Sequence, residues 1–328
     1  MAKPHFFEHL RPVSIPDPPW FPDPHVTWMC HAVKPMSADL QVDIVIVGVP
    51  FDGGSVSHRK GSRLGPTRIR ETLYGYSSYS LEHDADISTL RIADCGNVDV
   101  NNMNFEETHE RVESTVTQVF RVCPNLLILG GDHSVTFPCI KALSVILGAG
   151  KRLGVIDFDA HNDCRADWTR NSGLWVRQIQ EMKPNPVRGE NVAQIGIRGF
   201  SYSPFYRDYI RKTGIRVFTS SDVSKEGIDS VLSSAVRCAS DGTDAIYVSV
   251  DIDALDQAFA PGTDGPSPGG LTTTDLFRAA FDLGKHPLVR AMDVMEVSPP
   301  LDVDNATSKA AAETLMRFLC GLLKRKSR

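Results

Sequence analysis

Acidic residues and histidines follow three short apolar segments of this chain. The segments and the residues behind them are Leu126–Leu129 with Gly130–Ser134 (GGDHS), Leu153–Phe158 with Asp159–Asp163 (DAHND), and Ala245–Val250 with Asp251–Asp256 (DIDALD). If these segments are parallel strands, their carboxyl ends deliver the polar side chains to one edge of a sheet. Buried carboxylates cost on the order of several kcal/mol to desolvate unless they are paired or bound to a metal, and no cluster of Lys or Arg lies beside them in the sequence. The pattern predicts a site for divalent cations, and mixed carboxylate and imidazole ligands favour Mn2+, Fe2+, Zn2+ or Ni2+ over Ca2+.

Each motif by itself has a plainer interpretation. A single histidine after a strand, such as His133, is usually a hydrogen-bonded structural residue. A single D-x-D, such as Asp251–Asp253, often forms a turn or caps a helix. D-A-H-x-D directly after a buried strand is more specific. The three motifs together, in this order, favour metal binding over those alternatives.

The segments that must position these residues alternate between strand-like and helix-like patterns. Strand-like apolar runs occur eight times, at Ile44–Val49, Leu90–Ala93, Leu126–Leu129, Leu153–Phe158, Val192–Ile197, Arg216–Phe218, Ala245–Val250 and Leu288–Met292. Several are apolar almost throughout, as strands covered on both faces must be. Helical spacing marks the stripe Val112, Val116, Val119 and Phe120, the stripe Leu276, Ala279, Ala280 and Leu283, and the Ala- and Leu-rich segment 309–323. The alternation predicts an α/β fold with a mostly parallel central sheet of about eight strands.

Residues 1–41 differ from the rest of the chain. Six prolines within residues 11–24 remove backbone donors and fix φ, so we expect an irregular, Pro-rich N-terminal arm. The arm could pack on the domain or on a neighbouring subunit, or it could be a disordered tail. No later break in composition suggests a second domain, so residues 42–328 are expected to form a single domain.

The composition excludes several classes of protein. The 328 residues include 35 basic and 40 acidic ones, a net charge of −5, without a Lys- or Arg-rich block, which argues against nucleic acid as a partner. No apolar run reaches about 18 residues and no secretory leader is visible, so we expect no membrane partner and a cytoplasmic location. The seven cysteines are odd in number, widely spaced and without C-x-x-C, which indicates reduced thiols.

Taken together, the motifs resemble those of the ureohydrolase family, the arginases, agmatinases and guanidinobutyrases, with formiminoglutamase as a close relative. Gly130–Ser134 is similar to the family's G-G-D-H-S, Asp159–Asp163 to its D-A-H-x-D, and Ser249–Asp256 to its S-x-D-x-D-x-x-D. The resemblance extends from about Val42 to Leu323. It implies an arginase-like three-layer α/β/α sandwich and two divalent metal ions per chain, usually Mn2+ and in some members Ni2+.

The resemblance also implies roles for individual residues. One ion would be held by His133, Asp159, Asp163 and Asp251, and the other by His161, Asp159, Asp251 and Asp253. A metal-bridging hydroxide would attack a small guanidino substrate, cleave a linear C–N bond and release urea or a urea derivative. Asp163 would move the proton to the leaving nitrogen, and Glu296 would face the cationic guanidinium. Family members form trimers or hexamers, so a homo-oligomer is expected.

Departures from the family pattern leave the substrate open. Ser172 stands where guanidine-cleaving members usually carry a histidine, and Asp163-Cys164-Arg165 is similar to the formiminoglutamase branch. These features favour an alternative, a hydrolase of a formimino or imino compound, or of a modified guanidine such as a biguanide. In the loop PGTDGPSP (261–268), Ser267 replaces a glutamate of agmatinase-like members, which disfavours a cationic amine tail.

Trp175 and His58 are further candidate substrate-binding residues. Trp175 could face the pocket, where an apolar or alkylated amidine could stack on it, or it could belong to the core. His58 lies on the loop after the first strand, which approaches the active-site mouth in the family but could also be plainly solvated. A non-catalytic subunit that forms a hetero-oligomer with an active homologue is disfavoured, because all six metal-ligand positions are intact.

Overall fold

The computed structural model describes residues 9–14, 23–37, 39–166 and 169–326. Its strands are Leu10–Arg11 (β1), Val33–Pro35 (β2), Ile44–Gly48 (β3), Tyr79–Ser80 (β4), Ala85–Asp86 (β5), Ile92–Val98 (β6), Leu126–Leu129 (β7), Leu153–Phe158 (β8), Val192–Ile197 (β9), Arg216–Thr219 (β10), Ala245–Val250 (β11) and Val289–Val294 (β12). Its α-helices are Met29–Ala32 (α1), Gly65–Tyr74 (α2), Phe105–Val122 (α3), Thr136–Leu147 (α4), Trp175–Glu181 (α5), Pro204–Thr213 (α6), Ser220–Glu226 (α7), Ile228–Ser240 (α8), Thr273–Lys285 (α9) and Ala306–Lys326 (α10).

Ten of these strands form one sheet, in the order β1-β6-β3-β7-β12-β11-β8-β9-β10, with β2 also beside β6. Within this sheet β1 pairs antiparallel and the other neighbours pair parallel. Each of the eight predicted runs contributes a strand, which confirms the mostly parallel α/β architecture. The bounds of β6 differ most from the prediction, because β2 pairs with its start at Ile92 and β1 with its end at Val98.

Helices cover both faces of the sheet, which explains why its strands are apolar almost throughout. Alternate residues of β3 enter different cores: Ile44 and Ile46 pack in the core that α9 and α10 cover, and Val45 and Val47 in the core that α3, α4 and α5 cover. The predicted stripes on α3 and α9 are buried. These are the three layers of an α/β/α sandwich.

The N-terminal arm is not irregular throughout, which corrects the prediction. Leu10–Arg11 pairs antiparallel with β6, and α1 leads into Val33–Pro35, which pairs with the other half of the same strand. Both segments lie at the edge of the sheet, where Pro12 and Pro35 cost no central ladder hydrogen bond. Residues 15–22, with four of the six prolines, lie outside the described residues. No helix in the described ranges combines the length and the apolar character that a membrane crossing needs.

Candidate metal centre

The predicted ligands lie at the carboxyl edge of four adjacent strands, β7, β12, β11 and β8, in the middle of the sheet. His133 follows β7, Asp159 follows β8 and Asp251 follows β11. Glu296 follows β12, which lies between β7 and β11. The strand order therefore brings together residues that are up to 163 positions apart in the chain, as the hydrogen bond between His133 and Glu296 shows.

The D-x-H and D-x-D spacings have a local physical cause. Oδ1 of Asp159 accepts the backbone N–H of His161 at 2.5 Å, and Oδ1 of Asp251 accepts that of Asp253 at 2.8 Å. Each first aspartate thus fixes the turn that carries the second ligand, and its other oxygen is left for the site. The capping interpretation of D-x-D and the metal interpretation therefore apply to the same residue.

One group of possible ligand atoms belongs to His133, Asp159 and Asp251. Nδ1 of His133 lies 3.3 Å from Oδ2 of Asp159, 3.3 Å from Oδ2 of Asp251 and 3.5 Å from Oδ2 of Asp163. Two ligands that bind one ion at about 2.1 Å and at right angles lie about 3 Å apart. The spacing of these atoms fits a divalent ion between them.

A second group consists of Asp159, His161 and Asp253. Nδ1 of His161 lies 3.1 Å from Oδ2 of Asp253 and 3.5 Å from Oδ1 of Asp159. Asp159 belongs to both groups, as a bridging ligand must. Asp251, which was also expected to bridge, belongs to the first group only.

Two buried atoms of the first group lack a hydrogen-bond partner among the described residues: Nδ1 of His133 and Oδ2 of Asp159. His133 is 1% exposed and Asp159 is 0% exposed, so water from bulk solvent does not satisfy these atoms. A buried polar atom without a partner costs about 1–3 kcal/mol. A metal ion bound at this point would satisfy both atoms, so the residues fit such an ion.

The protonation energetics also indicate an excess of negative charge. Burial and the negative charge of Asp159 raise the pKa of Asp163 to about 8. Burial and the charge of Asp253 raise the pKa of Asp251 well above its usual range. Against the opposing effect of burial, the charge of Asp253 raises the pKa of His161 to about 12. Divalent cations would supply the positive charge that these groups otherwise take from protons.

His133 is oriented by a buried hydrogen-bond relay. Its Nε2 lies 2.8 Å from Oγ of Ser249, and that hydroxyl donates to Oδ1 of Asp293 at 2.7 Å. Because the serine proton is committed to Asp293, the serine oxygen accepts from Nε2–H, and Nδ1 is the bare nitrogen that faces the carboxylates. Asp293 is fully buried and also accepts from Tyr247 Oη and Thr136 Oγ1. Such outer hydrogen bonds fix the ring and the tautomer of metal-binding histidines.

Asp163 and Glu296, the two predicted catalytic residues, adopt left-handed backbone conformations. Their φ angles are 46° and 62°, which cost about 1–3 kcal/mol each for a residue with a side chain. The hydroxyl of Tyr202 accepts the backbone N–H of Asn162 at 2.9 Å and that of Asp163 at 3.3 Å. Oε1 of Glu296 accepts the backbone N–H of His133 at 2.7 Å. These contacts hold both carboxylates at the site.

A cavity of about 200 Å³ opens onto the metal groups. Its walls include Asp163, Ser172 and Glu296, so three of the residues predicted to handle substrate meet there. Ser172 is buried, donates its backbone N–H to the Gly54 carbonyl at 2.8 Å, and accepts from the Val56 N–H at its hydroxyl.

Trp175 and His58 do not line this cavity, which corrects their assignment as substrate-binding residues. Trp175 is 0% exposed and packs beneath the ring of His133, with the ring centroids 4.9 Å apart, so it supports a metal-site residue from the core side. His58 is exposed to solvent. Its loop does reach the cavity, but through Val56 and Ser57.

Sequence reasoning missed Tyr202 and Asp264, which also line the cavity. Tyr202 lies five residues after the end of β9, so its place behind an apolar run is a signal that could have found it. Asp264 lies in the loop PGTDGPSP (261–268). Ser267 of this loop replaces a glutamate of agmatinase-like members, and Asp264 supplies a carboxylate at a different position of the same loop. The sequence analysis named Arg165 only as part of the tripeptide Asp163-Cys164-Arg165 and gave it no role. Among the described residues that line the cavity, Arg165 is the one Lys or Arg.

Comparisons with known proteins agree with this geometry. The model of the arginase family matches residues 42–321. The formimidoylglutamase of Halalkalibacterium halodurans is 39% identical over 305 residues, which cover 92% of this chain and 94% of that protein. The guanidinopropionase of Pseudomonas aeruginosa is 36% identical over 289 residues, 86% of this chain and 87% of that protein.

A similar solved structure is the formiminoglutamase of Trypanosoma cruzi with a pair of Mn2+ ions. It has a TM-score of 0.81 and 27% identity, and the match covers 92% of this chain and 99% of that one. The similarity therefore extends over most of the chain.

Proposed function

The chain belongs to the arginase family and is a hydrolase of linear C–N bonds in guanidino or formimino compounds, and we propose that its substrate is a formimino amino acid. Water adds to the formimino carbon, the bond to the amino nitrogen breaks, and the products are formamide and the free amino acid. We also propose that Mn2+ occupies the two ligand groups, with Ni2+ as the alternative. The Mn2+ pair of the Trypanosoma cruzi formiminoglutamase supports this choice of metal.

The charge distribution in the cavity carries the proposal. Arg165 lines the wall, and its guanidinium forms no ion pair with a described residue, so it is available for a substrate carboxylate. Glu296 lines the same cavity, and its buried Oε2 accepts no hydrogen bond from a described residue, so it is available for a substrate N–H. A molecule with a cationic formimino or amidino head and a carboxylate tail matches both groups. A substrate with a cationic amine tail, such as agmatine, would place that amine near Arg165.

The residues of the chain have distinct tasks in this reaction. Divalent ions bound at the two groups would supply hydroxide near neutral pH. Glu296 accepts an N–H of the amidine through Oε2 and orients the trigonal carbon. Asp163 lines the cavity beside the metal groups, accepts the proton of the attacking water and passes it to the leaving nitrogen.

The choice of a formimino over a guanidino substrate is supported at position 172. Ser172 lines the cavity where an imidazole would be expected for guanidine cleavage, and its hydroxyl is already engaged by the Val56 N–H at 3.4 Å. A guanidino acid is the second candidate. It is favoured by the 36% identity with a guanidinopropionase, and both charge requirements of the cavity suit it equally.

A product assay on Mn2+-loaded protein tests the proposal. We expect formamide from a formimino amino acid, with a higher kcat/KM than for urea release from 3-guanidinopropionate. Urea from guanidino acids without formamide from formimino acids would establish the second candidate. Hydrolysis of neither class, or full activity in chelator with fewer than one tightly bound transition metal per chain, would refute the proposed function.

Arg165 offers a matched pair of variants. R165M removes the cation, and we expect KM for a carboxylated substrate to rise by about tenfold or more, the worth of one charged hydrogen bond. R165K keeps the charge and is expected to lose less. Equal KM values for wild type, R165M and R165K would show that Arg165 does not bind the substrate tail.

We further propose that the chain works in the cytoplasm as a homo-oligomer on a small-molecule substrate. No disulfide joins any of the seven cysteines, which all lie in the described ranges, and six of them are buried, which suits a reducing compartment. Light scattering after size exclusion tests the assembly. A mass of three or six chains is expected, and a monomer would refute it.

A further inference from the structure

We propose that Asp264 is a second substrate-binding carboxylate, which with Glu296 forms an anionic cradle for the cationic amidine end of the substrate. This inference deepens the proposed function, since it names the residue that would recognise the cation at the site of cleavage. Asp264 lies in the loop between β11 and α9 and lines the same cavity as Glu296.

Asp264 has one oxygen tied to the protein and one oxygen free of such ties. Oδ2 accepts the hydroxyl of Ser55 at 2.8 Å, and the backbone carbonyl of Asp264 accepts the hydroxyl of Ser57 at 3.0 Å. Oδ1 accepts no hydrogen bond from a described residue. The serine ties hold the loop after β3 against the carboxylate, so Asp264 keeps a fixed position in the wall of the cavity.

Glu296 repeats this arrangement. Its Oε1 accepts the backbone N–H of His133 at 2.7 Å, while its Oε2 is buried without a hydrogen-bond partner among the described residues. Glu296 is 2% exposed, so solvent does not replace the missing donor. An unpartnered oxygen at this depth points to a ligand that brings an N–H.

The two carboxylates lie close enough to act on one ligand. Both line the same cavity of about 200 Å³, so a small ligand in that cavity can contact both of them. Neither carboxylate forms an ion pair with a Lys or Arg of the described residues. An amidinium carries N–H donors on two nitrogens and one delocalised positive charge, so it can give one donor to each open oxygen and offset the repulsion between them.

The loop also lies directly against the metal groups. A Cβ at Gly265 would lie 2.7 Å from Oδ2 of Asp253 and 2.9 Å from Cε1 of His161, so a residue with a side chain would collide there. Because the backbone next to Asp264 approaches these ligands so closely, a cation held by Asp264 lies beside the site of water attack. The proposed carboxylate therefore binds the reacting end of the substrate, and Arg165 would hold its carboxylate tail.

Two matched variants separate the charge of Asp264 from its role in the loop. D264N removes the negative charge, but the asparagine oxygen can still accept the Ser55 hydroxyl. S55A removes that hydrogen bond and leaves the charge. Both are made in the full chain, loaded with Mn2+ and checked for equal metal content and equal melting temperature.

The probe is the acetamidinium ion, an amidinium without a tail, whose binding is measured by titration calorimetry. D264N is expected to bind it about tenfold or more weakly than wild type, and S55A within a few-fold of wild type. Glutarate, which carries carboxylates and no cation, is the control ligand and is expected to bind D264N no more weakly than wild type. The KM of the hydrolysed substrate is expected to rise in D264N while kcat changes less.

Equal acetamidinium affinity in wild type and D264N would overturn the inference, as would a loss in S55A that matches the loss in D264N. The same holds if wild type shows no acetamidinium binding at millimolar concentrations. Because this binding needs no turnover, an Asp264-dependent affinity in a chain that hydrolyses no formimino or guanidino acid would keep the cradle and reject only the proposed function.

Discussion

Replacing Ser249 with alanine should weaken one of the two metal positions and leave the other intact. In the structure the Ser249 hydroxyl lies between Nε2 of His133 and the buried carboxylate of Asp293, at 2.8 and 2.7 Å. S249A removes both hydrogen bonds at once. The imidazole then loses the contact that keeps its bare Nδ1 towards Asp159 and Asp251.

The size of the effect follows from these contacts. Loss of an outer hydrogen bond to a metal-binding histidine weakens metal affinity by about 10- to 100-fold, which corresponds to about 1.4–2.8 kcal/mol. Only the ion beside His133 should be affected, because the ring of His161 pairs with Asp253 at 3.1 Å and does not depend on the Ser249 hydroxyl. Metal-free protein is titrated with Mn2+, and binding is monitored by calorimetry or by the spectrum of free Mn2+. The titration should show one site with unchanged affinity and one with weakened affinity. Excess Mn2+ should restore most of the activity.

Y247F is the matched control. The Tyr247 hydroxyl donates to Oδ2 of the same Asp293 at 2.7 Å but does not bond to His133. This variant should lower the free energy of unfolding by about 1.5–3 kcal/mol, the worth of one hydrogen bond to a charged group, with both metal affinities retained. The orienting role of Ser249 is refuted if S249A binds both ions as wild type does, or if Y247F weakens metal binding as much as S249A.

Three other changes test different parts of the structure. D253N should reduce the bound metal from two ions to one per chain in elemental analysis of dialysed protein, because Oδ2 of Asp253 faces His161 at 3.1 Å; two retained ions would contradict the ligand assignment. W175A should lower the free energy of unfolding by about 3–5 kcal/mol in urea titrations, since the indole is fully buried. W175F should leave the KM of the substrate unchanged, because the side chain at this position does not line the cavity. Burial and the charge of Arg170 lower the pKa of His109 to about 3. As the pH falls below about 6.5, the unfolded chain therefore binds a proton at this histidine before the folded chain does. The contribution of neutral His109 to the stability of the fold is complete above about pH 6.5 and is lost as the pH falls towards 3. Between pH 7.5 and pH 5, wild type should therefore lose about 2 kcal/mol more stability than H109Q, and parallel pH curves for the two proteins would show that His109 is not the buried neutral group.

The strands and the metal-binding motifs could be predicted because their determinants are local. A strand covered on both faces must be apolar along its length, so Leu153–Phe158 and Ala245–Val250 have the same bounds in the sequence pattern and in the structure. The D-x-H and D-x-D spacings are local as well, because each first aspartate fixes the backbone two residues later. The sequence pattern was less reliable at the edge of the sheet. There, pairing of β6 with β1 and β2 moved the strand from Leu90–Ala93 to Ile92–Val98 and gave structure to an arm expected to be irregular.

By itself the sequence determined the α/β fold, the family and the residues that converge on one edge of the sheet, because periodicity and short-range motifs encode these features. Only the tertiary structure decided which way each candidate side chain faces. Trp175 lies beneath His133 and away from the cavity, and Asp264 reaches Ser55, 209 positions away, to place a carboxylate in the substrate wall. A linear sequence records the type of a side chain and its neighbours along the chain. Its partners across the sheet depend on strand order and on the path of loops, which no local pattern contains.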